Sequence, residues 1–310
     1  MKKDNKKETP LWKSILFEKR LPWRYVWSGG FLNTSILKKL RLFYLPSFLK
    51  LYNLRKKEDI AIIIGVKNRF DYRIINALKS IRNQNYNQDL IKIILVDYDS
   101  KKELISKYKG LCEKYNAIYI RVNNKSLWNR SHCLNIGIKR AKTKYILTSD
   151  VDMIFERNYI KESIKELKKD LHQIILSNHF DSQKNNINQK TDIIRDYNKI
   201  KSKCKLRPTG LECISLSINL TLTYFYHKIR GYDEWYKLWG AEDTDLIKRF
   251  KLFGLKIKDI SYKTSFLHQW HPEFEGVKNR NLKRQIEKNR EYLRNNNLIV
   301  RNKEGWGKIN

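Results

Sequence analysis

A doubly wound α/β sheet is the fold class that the sequence predicts, and three observations carry it. Short, continuous apolar runs alternate with helical-period segments from residue 60 to residue 149. Polar residues follow these runs where chemistry would sit: Lys67-Asn68-Arg69, Asp97-Tyr98-Asp99-Ser100 and Asp150-Val151-Asp152. The chain has 310 residues, 41% of them hydrophobic, enough for one large α/β domain with extensions or two small ones.

The elements follow in order. Ile60–Val66 is apolar throughout, as a parallel strand buried on both faces must be. Asp71–Arg82 places Ile74, Ile75, Leu78 and Ile81 on one helical face. Ile91–Val96 is a second buried strand, Glu103–Tyr115 a helix, and Ala117–Val122 a third strand. Ser131–Ala141 is the next helix, and Tyr145–Thr148 a fourth strand that ends at Ser149-Asp150. Such a βαβαβαβ order implies a parallel sheet with ligands beyond the carboxyl ends of its strands. No GxGxxG or Walker loop follows the first strand, which counts against dinucleotide or P-loop chemistry. Further on, Asn185–Lys203 is polar and basic and reads as a flexible loop near the site.

Composition excludes several classes. The net charge is +33, from 65 Lys/Arg against 32 Asp/Glu, which favours polyanionic or phosphorylated partners. Residues 1–58 hold 15 Lys/Arg against 4 Asp/Glu, and residues 276–310 hold 10 against 3. In the N-terminal part Leu11, Trp12, Ile15 and Leu16, then Ile36, Leu37, Leu40, Phe43 and Tyr44, recur at helical spacing beside Lys38, Lys39 and Arg41. That stripe suits an anionic membrane surface or packing on the main domain. Asn281–Asn297 reads as a weakly amphipathic basic helix. The organisation expected is an extension over 1–58, a main domain over 59–275 and a tail over 276–310. A membrane span needs roughly 20 apolar residues, and none is present in the sequence. No apolar signal-peptide core of about 7–15 residues follows the N-terminus. The expected location is therefore the cytoplasm, with peripheral docking on the inner membrane face. Cysteines 112, 133, 204 and 213 form no CxxC or zinc spacing and read as free thiols.

Three clusters carry chemistry. Asp150 and Asp152 follow a buried strand, and two carboxylates so placed can share a divalent cation such as Mn²⁺ or Mg²⁺. Alone, the DxD pattern is also common in solvated turns. Glu242, Asp243 and Asp245 follow Trp239-Gly240-Ala241 and precede the helix Leu246–Phe253. They fit a favourable helix N-terminus, a general base for a hydroxyl, or both. His268 and His271 flank Gln269-Trp270, and neutral imidazoles ligate such metals.

Taken together, these motifs resemble GT-A glycosyltransferases, in particular glycosyltransferase family 2 and the related β-1,4-galactosyltransferase and chondroitin-polymerase type enzymes, over residues 59–275. Val66-Lys67-Asn68-Arg69 resembles the first-strand nucleotide loop, with basic residues toward a diphosphate. Val96-Asp97-Tyr98-Asp99-Ser100 resembles the acidic loop whose Asp contacts uracil. Asn135-Ile136-Gly137-Ile138 followed by Tyr145–Asp152 resembles the approach to the family's DxD. Arg230-Gly231-Tyr232-Asp233-Glu234 resembles its "GGFDE" turn, and Trp239–Leu246 resembles "WGxEDxDL". The resemblance implies a UDP-sugar donor and Mn²⁺ (or Mg²⁺). Asp152 and His268 would be metal ligands, with His271 competing for the place, and Asp150 would meet metal or ribose. Val66, Asn68, Arg69 and Asp97 would line the nucleotide. Asp243 would be the catalytic base, Glu242 a sugar-hydroxyl binder, and Trp239 a sugar-stacking ring. The reaction implied is inverting transfer of a hexose or N-acetylhexosamine to a glycan or lipid-linked acceptor. Arg230 and Ala241 depart from the family pattern, each standing where glycine is usual. A nucleotidylyltransferase lacks its glycine-rich loop here. A nucleic-acid binder, or a catalytically dead relative, is the remaining alternative; the acidic clusters argue against the first and the intact motif set against the second.

Overall fold

The computed structural model describes residues 57–123, 127–207, 215–238, 240–272 and 280–309, with the side chains of 280–282 left aside. The amphipathic N-terminal segment, Trp239 and Cys213 lie outside the described residues.

The described chain runs β1 (Ile60–Val66), α1 (Tyr72–Arg82), β2 (Ile91–Tyr98), α2 (Ile105–Lys114), β3 (Ala117–Val122), α3 (Arg130–Arg140), β4 (Tyr145–Ser149), β5 (Met153–Phe155), α4 (Tyr159–Leu167), β6 (Gln173–Ser177), β7 (His179–Asp181), α5 (Tyr197–Lys201), β8 (Lys205–Leu206), β9 (Ser215–Leu222), α6 (Thr223–Lys228), α7 (Glu242–Phe253), β10 (Lys256–Asp259), β11 (Phe266–His268) and α8 (Arg280–Asn295). The main sheet has the order β10-β6-β9-β4-β1-β2-β3, and a small second sheet the order β5-β11-β7-β8. In the main sheet β4, β1, β2 and β3 are parallel neighbours, while β9 is antiparallel to both β4 and β6.

Register brings three loops to one edge. Ile64 pairs with Leu95 of β2 on one side and Ser149 of β4 on the other. The loops after β1, β2 and β4 therefore leave the sheet at the same level. β1 is also where the strand order reverses, since β2 and β3 lie to one side of it and β4 to the other. This is the switch point at which open α/β sheets bind ligands. All five isoleucines and alanines of Ile60–Ile64 are fully buried, because helices cover both faces of a parallel sheet. Gly137 on α3 permits that covering: a Cβ there would stand 2.3 Å from the Ile63 side chain.

Two expectations need correction. The stretch 185–203 is folded rather than a flexible loop. Ile187, Ile193, Tyr197 and Ile200 are buried against Ile154 and Leu267, forming a second small core beneath the small sheet. Its few apolar residues are scattered among Asn and Lys, so no period betrays them. The acidic cluster, expected to precede a helix at Leu246, is itself the first turn of α7.

The residues after 280 pack on the domain. Trp306 is buried, Asn302 donates to the carbonyls of Arg230 and Tyr232, and Gly307 N–H donates to Glu234 Oε1 at 2.8 Å. Arg301 and Arg249 both reach Asp245, at 2.6 and 2.7 Å, with all three side chains essentially inaccessible. Asp245 is thus the structural member of the acidic cluster. Asp245→Asn should lower stability by about 3–5 kcal/mol, because among the described residues it leaves the buried Arg249 guanidinium with backbone carbonyls alone and Arg301 with Asp233 as its one carboxylate. Urea unfolding followed by circular dichroism checks this.

Candidate active site

The site is assembled at the switch point. Asn68 sits in the left-handed region, with φ 54°; its N–H donates to Ser100 Oγ at 2.8 Å, and its Oδ1 accepts from Lys101 N–H at 2.8 Å. The loops after β1 and β2 are thereby stitched together. Arg69 extends from the first loop to Asp152, with Nη1 2.6 Å from Oδ2. Val66 is buried beneath.

Asp97 is turned into the protein rather than toward the open edge. Its side chain is fully buried, with Oδ2 accepting from Arg121 and from Tyr119 at 2.7 Å each, and Oδ1 from Ser100 N–H at 2.9 Å. A carboxylate so satisfied is a loop anchor. Asp99, at φ 58° with 27% of its side chain accessible, is the more accessible acid of that loop.

β5 and β11 build the next part. Met153 pairs with His268, and His268 pairs on its other side with Asp181 of β7. Gln269 is buried and locks the corner: its N–H donates to the Asp152 carbonyl at 3.0 Å, and its Oε1 accepts from Asn76 at 2.9 Å. His268 Nε2 then stands 3.9 Å from Asp152 Oδ1, and His271 Nε2 3.6 Å from Oδ2. Ligand atoms of these three residues lie within 4.8 Å of one another. Both histidines present the right nitrogen. His268 Nδ1 is bonded to Asp181 Oδ1 at 2.8 Å, and His271 Nδ1 to the Pro272 carbonyl at 2.8 Å. Acceptors on both Nδ1 atoms favour N–H there, which makes Nε2, facing Asp152, the nitrogen that would carry the lone pair of each imidazole. Burial lowers the His271 pKa, which keeps it neutral. One carboxylate and two imidazoles fit a divalent transition cation. The two histidines weighed as rivals are thus brought together. Asp150, expected in the same set, is not in this group.

Asp150 turns instead to Arg130, a residue that the motif reading missed. Arg130 opens α3, where Asn129 caps the helix by accepting from His132 N–H. Its Nε lies 2.8 Å from Asp150 Oδ1, its Nη1 2.6 Å from Asp243 Oδ1, and the same Nη1 3.9 Å from Glu242 Oε1. Only 11% of its side chain is accessible. Burial works against the charge, but Asp150 and Asp243 hold the guanidinium protonated. Conversely, burial, then neighbouring carboxylates, pushes both Glu242 and Asp243 above the ordinary carboxylate range, and Arg130 restrains the rise. Asp243 keeps 23% of its side chain accessible against 7% for Glu242. The signal for Arg130 was a basic residue at the start of an apolar helix, but nothing in the sequence paired it with acids 20 and 113 residues away.

The GGFDE-like turn is tied to α3. Asn135 donates to the Tyr232 carbonyl and to Glu234 Oε1, and accepts from Tyr232 N–H. The two departures from glycine both fall in the left-handed region, Arg230 at φ 58° and Ala241 at φ 76°. Arg230 is compensated by its own bond to the Asn302 carbonyl at 2.9 Å.

Against this geometry, comparison with known proteins is decisive for the family. A model described as glycosyl transferase family 2 matches residues 61–220, just over half of the chain. The chain belongs to glycosyl transferase family 2. A second model, described as the N-terminal domain of galactosyltransferase, matches residues 199–272, which hold α7 and both histidines. An uncharacterized glycosyltransferase of Rickettsia conorii is 31% identical over 111 residues, covering 36% of this chain and 17% of that protein. Among solved structures, S. aureus TarS 1–349 in complex with UDP shares 15% identity and a TM-score of 0.52, over 74% of this chain and 65% of that one. GalNAc-T7 with UDP, GalNAc and Mn²⁺ shares 15% identity and a TM-score of 0.53, over 69% of this chain and 44% of that one. The chain thus spans less than two thirds of each of these relatives. The fold common to them is GT-A: a mixed α/β sheet flanked by helices.

Arg130→Met should destabilise the protein by about 3–5 kcal/mol at pH 8, and by less at pH 5. Without Arg130 the folded-state pKa values of Glu242 and Asp243 rise further above their unfolded values. The folded state then holds protons that the unfolded chain has lost, so stability falls as pH rises from the ordinary carboxylate range through the raised values. Urea unfolding of both proteins at the two pH values tests the sign.

Proposed function

We propose that this protein is an inverting, metal-dependent glycosyltransferase that uses a UDP-sugar donor. The observation that carries the proposal is the convergence, at one switch point, of a trio that could hold a cation and a largely enclosed acid pair joined through Arg130. Support comes also from similar folds captured with UDP, and with UDP, GalNAc and Mn²⁺.

In this reading Asp152, His268 and His271 hold Mn²⁺ (or Mg²⁺), and Asp150 faces the donor from the Arg130 side. The cation, when bound, would supply positive charge to the diphosphate. Val66, Asn68 and Arg69 line the nucleotide, and Asp99 is better placed than Asp97 to meet the base. Asp243 accepts the proton of an acceptor hydroxyl. Arg130 engages its Oδ1 and so fixes the carboxylate's orientation. The acceptor oxygen forms the new bond to the anomeric carbon as the bond to the nucleoside diphosphate breaks, its electron pair leaving with the phosphate. Glu242 holds a sugar hydroxyl, and Trp239 stacks on a sugar. Hexose or N-acetylhexosamine is the transferred group, and a glycan or lipid-linked saccharide the acceptor.

Residues 59–275 form the catalytic domain in this proposal, with 276–310 as its brace and 1–58 as a basic extension that docks on an anionic membrane. No helix among the described residues is long and apolar enough to cross a membrane.

Purified protein screened with UDP- and GDP-sugars should release nucleotide slowly from one UDP-sugar with Mn²⁺ and not with EDTA. Asp152→Ala should abolish release, and Asp243→Asn should reduce acceptor-dependent transfer by about 10²–10⁴-fold, the usual worth of a general base. Absence of metal-dependent nucleotide binding would overturn the proposal in favour of a polyanion-binding protein. The acid limb of the transfer rate should also lie above the ordinary carboxylate range, because Asp243 must be ionised and burial raises its pKa; a pH–rate profile checks it.

A further inference from the structure

The small sheet holds a carboxylate that no motif singles out. Asp181 ends β7, a strand of three residues. Parallel register sets it directly beside His268. Its Oδ1 accepts from His268 Nδ1 at 2.8 Å, on the ring edge away from the Asp152-facing Nε2. Its Oδ2 accepts from Arg207 Nε, just after β8, at 2.6 Å. Buried His179 closes the third side, with Nε2 3.7 Å from Oδ1. Both oxygens are therefore fixed before any ligand arrives. Among the described residues His271 Nδ1 meets the carbonyl of its own neighbour, Pro272, and no carboxylate.

We infer that Asp181 is a positioning residue for the cation, holding the His268 imidazole in the tautomer and orientation that present Nε2 to the metal, so that His268 is the fixed histidine ligand and His271 the adaptable one. The inference rests on the metal site proposed above. A hydrogen bond from the far ring nitrogen to a carboxylate both selects the tautomer and makes the ligating nitrogen a stronger donor. Arg207 acts one step further out, by keeping the carboxylate from rotating away; its side chain is 47% accessible, so its own contribution is smaller.

The test is Mn²⁺ binding by the full chain without nucleotide, followed by electron paramagnetic resonance, with folding of each apo-protein checked by circular dichroism. Asp181→Ala should weaken Mn²⁺ binding by about 10–100-fold, as loss of such outer partners does. Asp181→Asn, whose amide oxygen still accepts from His268, should lose less. Electron spin-echo modulation from coordinated imidazole nitrogen should weaken in Asp181→Ala relative to wild type at saturating Mn²⁺ and recover in Asp181→Asn; a merely structural role would leave it unchanged. Unchanged affinity in a folded Asp181→Ala protein, or full nitrogen coupling in it, would overturn the inference while leaving the metal site standing. Failure of the wild type to bind Mn²⁺ would overturn the metal site and this inference together.

Discussion

One guanidinium holds the site together. Arg130 bonds to Asp150 after β4 and to Asp243 in the first turn of α7, with Glu242 close by. Three carboxylates cannot share a largely enclosed corner without a counter-charge. The acids are separated by some ninety residues of sequence, so the bond also fixes α7 against the sheet. Burial in that corner raises the pKa of Asp243, and Arg130 restrains the rise.

The end that holds Asp152 and the two histidines is organised by strands rather than by a charge pair. Register across β5, β11 and β7 places Met153, His268 and Asp181 side by side across the small sheet, with Asp152 directly before Met153. Gln269 then clamps the corner from below. Arg69 bridges to this end from the loop after β1. Two separate devices therefore face each other across Asp150-Val151-Asp152, one aspartate pointing to each.

Much of this was legible in the sequence. The isoleucine runs at 60–66 and 91–96 read as buried parallel strands because both faces are covered, and the structure agrees within a residue or two at each end. The DxD, the acidic cluster and the two histidines were all found by residue type, and they converge. What sequence could not give was pairing. Asp97 and Asp99 stand two apart in one loop, and only the positions of Arg121 and Tyr119 on β3 decide that the first is buried. Asp245 looked like part of the acid cluster, until Arg301, 56 residues on, claimed it. Strand β9 and the core under 185–203 were missed because their apolar residues alternate with Ser, Asn and Thr, or scatter. The glycine departures at Arg230 and Ala241 were visible, and their meaning is now clear: both positions need positive φ.

The central claim is that one divalent cation and one nucleoside diphosphate meet at Asp152. The most direct measurement is a crystal of the protein grown with Mn²⁺ and UDP, with anomalous data at the manganese edge. The expected result is a single strong peak bonded to Asp152, His268 Nε2 and His271 Nε2, with the diphosphate beside it and Arg69 moved from Asp152 toward the phosphates. A peak at other residues, or UDP bound with its diphosphate away from Asp152, would contradict it.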